Sequence, residues 1–138
     1  MDLRKITDDF TVSPQIEVSD IPAIVAAGYR SILCNRPDGE DPTQCCFEEV
    51  SKAALDAGLE VRSVPITSGV VLPDDLNEFR DALAQLPQPV LAYCRSGTRC
   101  TMLWTIAQFG DRSPEDILSL TRNAGYDMSG VLGQMSRS

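Results

Sequence analysis

Short apolar runs alternate with amphipathic stretches along most of the chain. "LRKI" and "FTVS" are brief runs bounded by "TDD" and "SPQ", which predicts a hairpin-like β start within residues 1–18. Ser19 and Asp20 then stand where they can cap a helix over "DIPAIVAAG", with Ile21, Ile24 and Val25 inward and Gly28 at its stop. "YRSILCN" reads as a strand, and the polar "NRPDGEDPTQ" (35–44) as a loop at its C-terminal end. Phe47, Val50, Ala54 and Ala57 recur at helical spacing up to Gly58. "LEVRSVPI" is the next strand and "TSGVVLP" the next loop. Asp74 or Asp75 opens a helix carrying Leu76, Phe79, Leu83 and Leu86. "PVLAYC" is apolar throughout, as a strand covered on both faces should be. "TMLWTIAQF" places Leu103, Ile106 and Ala107 on one helical face. "SPEDILSLTRNAG" starts with a capping box of Ser113 and Asp116 and has Pro114 at its first position. The tail "DMSGVLGQMSRS" has room for one more short helix, with Gly130 and Gly133 against it. The β–α alternation predicts an α/β fold: a single domain over 1–138 with a mainly parallel sheet flanked by helices.

Composition narrows the chemistry. The 138 residues carry a net charge of −8 with no basic stripe, which argues against a nucleic-acid partner. No apolar run approaches the ~18 residues of a membrane helix, and "MDLRKITDDF" lacks an apolar leader, so the expected location is the cytoplasm, with no membrane partner. Five cysteines in such a chain are expected to be reduced thiols. There is no histidine, which excludes any His-based triad and any metal site that needs imidazole; no metal and no cofactor are expected.

One stretch concentrates the remaining chemistry. In "PVLAYCRSGTRC", Cys94 falls at the end of a strand and is followed by Arg95, Ser96, Gly97, Thr98 and Arg99 before a helix begins. Ligands of parallel sheets bind beyond the C-terminal strand ends. Gly97 allows the loop to curl so that the amides of 95–99 form an anion-binding nest. The helix start and the two guanidinium groups add positive charge. A thiol in such surroundings ionises at a pKa of roughly 3.5–7.5 instead of ~8.5. The Ser96 or Thr98 hydroxyl can donate to the sulfur or to a bound anion. Cys94 is therefore the expected nucleophile, with Arg99 its catalytic partner and Arg95, Ser96, Gly97 and Thr98 substrate-binding. Arg36, on the loop after Cys34, is a further candidate for binding an anion, although "RPDGE" is equally explained by the turn chemistry of Asp38-Gly39. Cys100 is either a resolving thiol or a small core residue. Cys45 and Cys46 lack metal-ligand partners, and Trp104 fits core packing.

"CRSGTR" resembles the rhodanese-type loop. With "VSPQI" and "NRPDGE", it makes the chain, over about residues 1–110, similar to the bacterial domain family DUF442, the phosphatase-like domain of beta-lactamase-hydrolase-like proteins. The resemblance implies a fold like that of dual-specificity phosphatases and an activity described for the family as sulfur transfer. It also implies a separate persulfide dioxygenase or sulfide-oxidising enzyme as partner. Two departures from phosphatases bear on the reaction. They place an arginine six positions after the cysteine, where this chain has Cys100 and carries Arg99 one residue earlier. They also use a general-acid aspartate, and "PITSGVV" has no carboxylate. The expectation is a sulfurtransferase that takes sulfane sulfur from thiosulfate or a small persulfide onto Cys94 and passes it to a thiol or cyanide. A phosphatase with a phosphocysteine intermediate is the alternative, and a non-catalytic anion- or persulfide-binding module a third.

Overall fold

The computed structural model describes residues 1–67 and 71–136. The "TSGVVLP" loop falls partly outside these. The described residues form a five-stranded sheet in the order β1-β2-β5-β3-β4. β1 (Arg4–Thr7) and β2 (Phe10–Ser13) make the antiparallel hairpin, and β2 then pairs in parallel with β5 (Val90–Tyr93). β3 (Ser31–Cys34) lies on the other side of β5 and pairs outward with β4 (Glu60–Ser63), both in parallel. The arrangement is the mainly parallel α/β fold that the alternation predicts, with β5 at its centre.

Side-chain alternation on β5 splits the core. Leu91 and Tyr93 pack with Ile32, Cys34, Ile24 and Val50, beneath α1 (Ile21–Ala26) and α2 (Phe47–Asp56). Val90, Ala92 and Cys94 share the opposite parity and join Phe10, Val12, Leu33, Phe79 and Trp104. That second layer is built by α3 (Pro73–Gln85), α4 (Thr98–Gln108), α5 (Pro114–Asn123) and α6 (Ser129–Ser136). Phe10 stacks on Trp104 at 6.2 Å with an 11° interplanar angle and meets Phe79 edge-on at 6.1 Å.

Three predicted features change in detail. Asp20 does not cap α1: a 3-10 turn, Val18–Asp20, comes first, and the Asp20 carboxylate accepts the Glu17 amide at 2.8 Å. Val25 and Ala57 are exposed rather than inward, because α1 is too short to bury more than Ile21 and Ile24, and Ala57 is already the C-cap of α2. α4 is buried nearly all round rather than on one face, including Thr101 and Thr105, because the sheet covers one side of it and α3, α5 and α6 the others. Thr101 and Thr105 lie in its buried part, and Thr101 bonds its hydroxyl back to the Gly97 carbonyl at 2.8 Å. The α5 start is as predicted, with Ser113 Oγ accepting the Asp116 amide at 3.1 Å and Pro114 at the first position. Asp75 closes the start of α3 by accepting the Leu72 amide at 3.0 Å. Among the described residues, no helix is long and apolar enough to cross a membrane.

Phe79 is fully buried between Phe10 and the α4 layer. Phe79→Ala is expected to cost about 3–5 kcal/mol of unfolding free energy, read as a lowered midpoint in urea at unchanged slope.

Candidate active site

Three parallel strands end together at one edge of the sheet. Ser13, Cys34 and Tyr93 are register partners at the C-terminal ends of β2, β3 and β5. The chain leaves β5 between its neighbours: the Cys94 amide donates to the Ser13 carbonyl at 3.3 Å, while the Asn35 amide donates back to Tyr93 at 2.9 Å. Cys94 keeps the parity of Val90 and Ala92, so its side chain lies on the α4 side, where α4 begins four residues later.

The turn into α4 needs a left-handed residue, and Gly97 supplies it at φ 89° as the N-cap. A helix start leaves its first amides without intrahelical acceptors, and an N-cap side chain ordinarily takes those of the second and third residues. Gly97 has no side chain. The Cys94 sulfur faces that helix start instead, and the nearby amides of Cys100, Ser96 and Arg99 help to hold its pKa down. The Gly97 amide donates to the same Sγ at 3.0 Å. The predicted nest is thus present and centred on sulfur.

These donors, led by the Cys100 thiol and opposed by burial, hold the Cys94 thiol down from an ordinary 9.0 to about 6. Cys100 pairs with it in the reverse sense: burial, then the neighbouring Cys94 sulfur, keep its own proton on well above the usual range. Cys100 is a fully buried member of the core that also lies beside the Cys94 sulfur, where its retained proton favours the thiolate.

Arg99 is only 8% exposed. Its Nη1 donates to Glu40 Oε2 and to the Ile66 carbonyl, both at 2.8 Å, and its Nη2 to Glu40 Oε1 at 2.7 Å. The remaining edge, Nε–H and one Nη2–H, has no partner among the described residues. An edge of that kind is the fork with which a guanidinium can pair an oxyanion in bidentate fashion. Arg36, 4% exposed, does not bind along that edge: its Nε donates to Glu40 Oε1 at 2.9 Å and its Nη1 to Gln15 Oε1 at 3.0 Å. It supports Glu40, which in turn sets Arg99. The two arginines hold the Glu40 carboxyl down at about 2.

The other predicted residues divide. Ser96 and Thr98 are exposed, and the Ser96 hydroxyl donates to Thr98 Oγ1 at 3.0 Å, so neither hydroxyl bonds the sulfur. Arg95 is exposed, with Asp41 of the 35–44 loop within its electrostatic reach. Cys34 is buried on the other face of the sheet, with its thiol donating to the Arg36 carbonyl at 3.3 Å and its pKa raised by burial. Asp38 accepts the Phe47 amide at the start of α2 at 2.8 Å, and Gly39 makes the predicted bend at φ 79°. Cys45 faces Glu49 at 3.5 Å, and burial with that carboxylate raises its pKa to about 11. Spacing gave no signal for Glu40, Gln15 or Tyr126, whose hydroxyl donates to the Ser96 carbonyl at 2.9 Å.

A parallel α/β sheet whose central strand delivers a cysteine into a ring of amides at a helix start defines a phosphatase-like domain. The chain belongs to the family described as the phosphatase-like domain of beta-lactamase hydrolase-like protein, which matches residues 2–111. A beta-lactamase hydrolase-like protein of Xylella fastidiosa (strain Temecula1) is 30% identical over 139 residues, covering 99% of this chain and 32% of its own. The chain therefore spans about a third of the length of the curated relatives it matches. A crystal structure from Neisseria meningitidis Z2491, provisionally named a phosphatase, superposes with a TM-score of 0.88 at 30% identity, over 99% of this chain and 98% of that one. A DUF442 structure from Shewanella putrefaciens CN-32, also provisionally named a phosphatase, shares the fold at TM-score 0.76 and 15% identity, over 99% and 91% of the two chains.

Two outcomes follow from this geometry. Alkylation of Cys94 by iodoacetamide should follow a titration with its midpoint near pH 6. In Cys100→Ala, which removes the thiol donor, the midpoint should move toward 9; an unmoved midpoint would mean that the amides alone set it. Glu40 is lowered, so what it adds to stability is fully present above its unfolded value of about 4.5 and is lost as pH falls through about 2. Glu40→Gln should be about 1–3 kcal/mol less stable than the parent at pH 7 in urea unfolding, with the gap closing toward pH 2.

Proposed function

We propose that the protein is a sulfurtransferase that carries sulfane sulfur on Cys94. The observation that supports this reading most is the state of the carboxylates around the site. Hydrolysis of an alkyl phosphate needs an acid to protonate the departing oxygen. Glu40 sits between two arginines with its pKa at about 2, and Asp41 accepts from Thr43 with its pKa lowered by those bonds. Asp38 is occupied at the start of α2 and Asp75 at the start of α3. Glu40 and Asp41 are thus held toward the ionised form, Asp38 and Asp75 are engaged as acceptors at helix starts, and the segment 65–71, "PITSGVV", has no carboxylate in its sequence. Sulfite and low-pKa thiolates leave without a proton.

The reaction then balances without an acid. The Cys94 thiolate attacks the outer sulfur of thiosulfate or of a small persulfide. A Cys94–S bond forms, the donor's S–S bond breaks, and its electron pair leaves with sulfite or with a thiolate. The persulfide is held by the amides of 96, 97, 99 and 100, and the free edge of Arg99 binds the anionic donor. An acceptor thiol takes the outer sulfur as its own persulfide and returns Cys94 as thiolate. A persulfide-oxidising enzyme is the class of partner that would consume this product.

A second reading, hydrolysis of phosphate monoesters through phosphocysteine, is favoured by the family's phosphatase-like fold and by the names of its solved neighbours. The unpaired edge of Arg99 suits a phosphate equally well, and an aryl phosphate has a leaving group that needs no acid. One preparation assayed with thiosulfate plus cyanide, with glutathione persulfide, and with an aryl phosphate separates the two. The expected result is a single added sulfur on Cys94 by intact mass and sulfur transfer that Cys94→Ser abolishes. Aryl-phosphate turnover that depends on Cys94 and outpaces sulfur transfer would replace this reading with the second.

A further inference from the structure

Two hydrogen bonds described above belong to the same peptide unit. The Ser96–Gly97 peptide receives the Tyr126 hydroxyl on its carbonyl at 2.9 Å and gives its amide to Cys94 Sγ at 3.0 Å. In a trans peptide the C=O and N–H point in opposite directions, so fixing one end aims the other. Tyr126 lies beyond the segment that the family matches, in the turn between α5 and α6.

From this geometry we infer that Tyr126 is a positioning residue for the nucleophile: it orients and polarises the peptide whose N–H stabilises the Cys94 thiolate. Two further observations support a built contact. A Cβ at residue 97 would collide with the Tyr126 hydroxyl, so the absence of a side chain at Gly97 lets the phenol approach as well as allowing the turn. The ring itself is clamped: the Arg4 guanidinium lies 5.3 Å from its centroid, and Arg4 Nη1 donates to the Ala124 carbonyl at 3.2 Å. Burial also raises the phenol's pKa to about 12, so it stays a donor at any working pH. The inference rests on Cys94 being the reacting atom and not on which group it transfers.

The titratable and charged groups on the sulfur's side of the sheet are Arg99 and Cys100 from α4 and Tyr126 itself, with Arg4 of β1 behind its ring; the Cys34 thiol of β3 lies on the opposite face and acts on the sulfur only through the sheet. Tyr126→Phe removes one oxygen and leaves the other groups in place. Iodoacetamide alkylation of Cys94 as a function of pH is the readout, since it needs no substrate. The expected result is an upward shift of the midpoint by about half to one unit, seen as roughly two- to sixfold slower alkylation at pH 6 and rates within about twofold at pH 9. The Gly97 amide proton, followed by NMR in the unmodified protein, should titrate with the same midpoint as the thiol. A Tyr126→Phe midpoint equal to the parent's, or a Gly97 amide that does not respond to the thiol's titration, would overturn the inference. Loss of thermal stability with an unmoved midpoint would make Tyr126 a packing residue only. These outcomes differ from failure of the sulfur-transfer reading, which leaves the thiol titration untouched.

Discussion

The structure depends on a negative charge that is kept out of water. Cys94 is fully buried at the end of the central strand, and an ion in that position has to find its solvation in the protein. It finds it in backbone. The first turn of α4 begins with unsatisfied amides, and the residue that would ordinarily cap it is a glycine. The strand cysteine therefore serves as the helix's acceptor, and the helix serves as the thiolate's solvent. Each covers a deficit of the other, so the reactive state and the folded state are stabilised by the same contacts.

A second constraint governs the cation. A guanidinium close to a thiolate could collapse onto it and neutralise the nucleophile. Here Glu40 and the Ile66 carbonyl take three of the Arg99 donors, and Arg36 with Gln15 fixes Glu40 from behind. Arg99 is left with one planar edge, aimed by the carboxylate rather than by the sulfur. The acidic loop 35–44 is thus part of the site even though its chemistry is that of a brace. Within it, Glu40 is held ionised by the two arginines it braces.

Much of this was legible in the sequence. The alternation of elements, the pairing of a strand-end cysteine with Gly97, and the Ser113/Asp116 cap are local signals, and local signals survive folding. The role of Arg36 was not legible, because a buried arginine and a ligand-binding arginine look alike until their partners are known. Glu40 is 59 residues from Arg99, and Tyr126 is 30 from Ser96; no spacing rule connects them. Cys100 was ambiguous for a different reason: its position on a helix buried nearly all round suits a small apolar residue, and only the neighbouring sulfur gives its proton a task. The hydroxyls of Ser96 and Thr98 pair with each other rather than with the sulfur, because short polar side chains in a tight turn can satisfy one another locally.

The side-chain parity of β5 has a consequence for how this nucleophile can vary. Val90, Ala92 and Cys94 share one face, and Leu91 and Tyr93 the other. Lengthening or shortening the strand by one position would send the sulfur to the α1–α2 side, away from every amide that ionises it, and would turn the interior inside out at the same stroke. The direction in which the nucleophile points is therefore inherited from the packing of the core. A change of what the site accepts would therefore have to come through the loops that approach the sulfur, since the strand that presents it is held by the core on both faces.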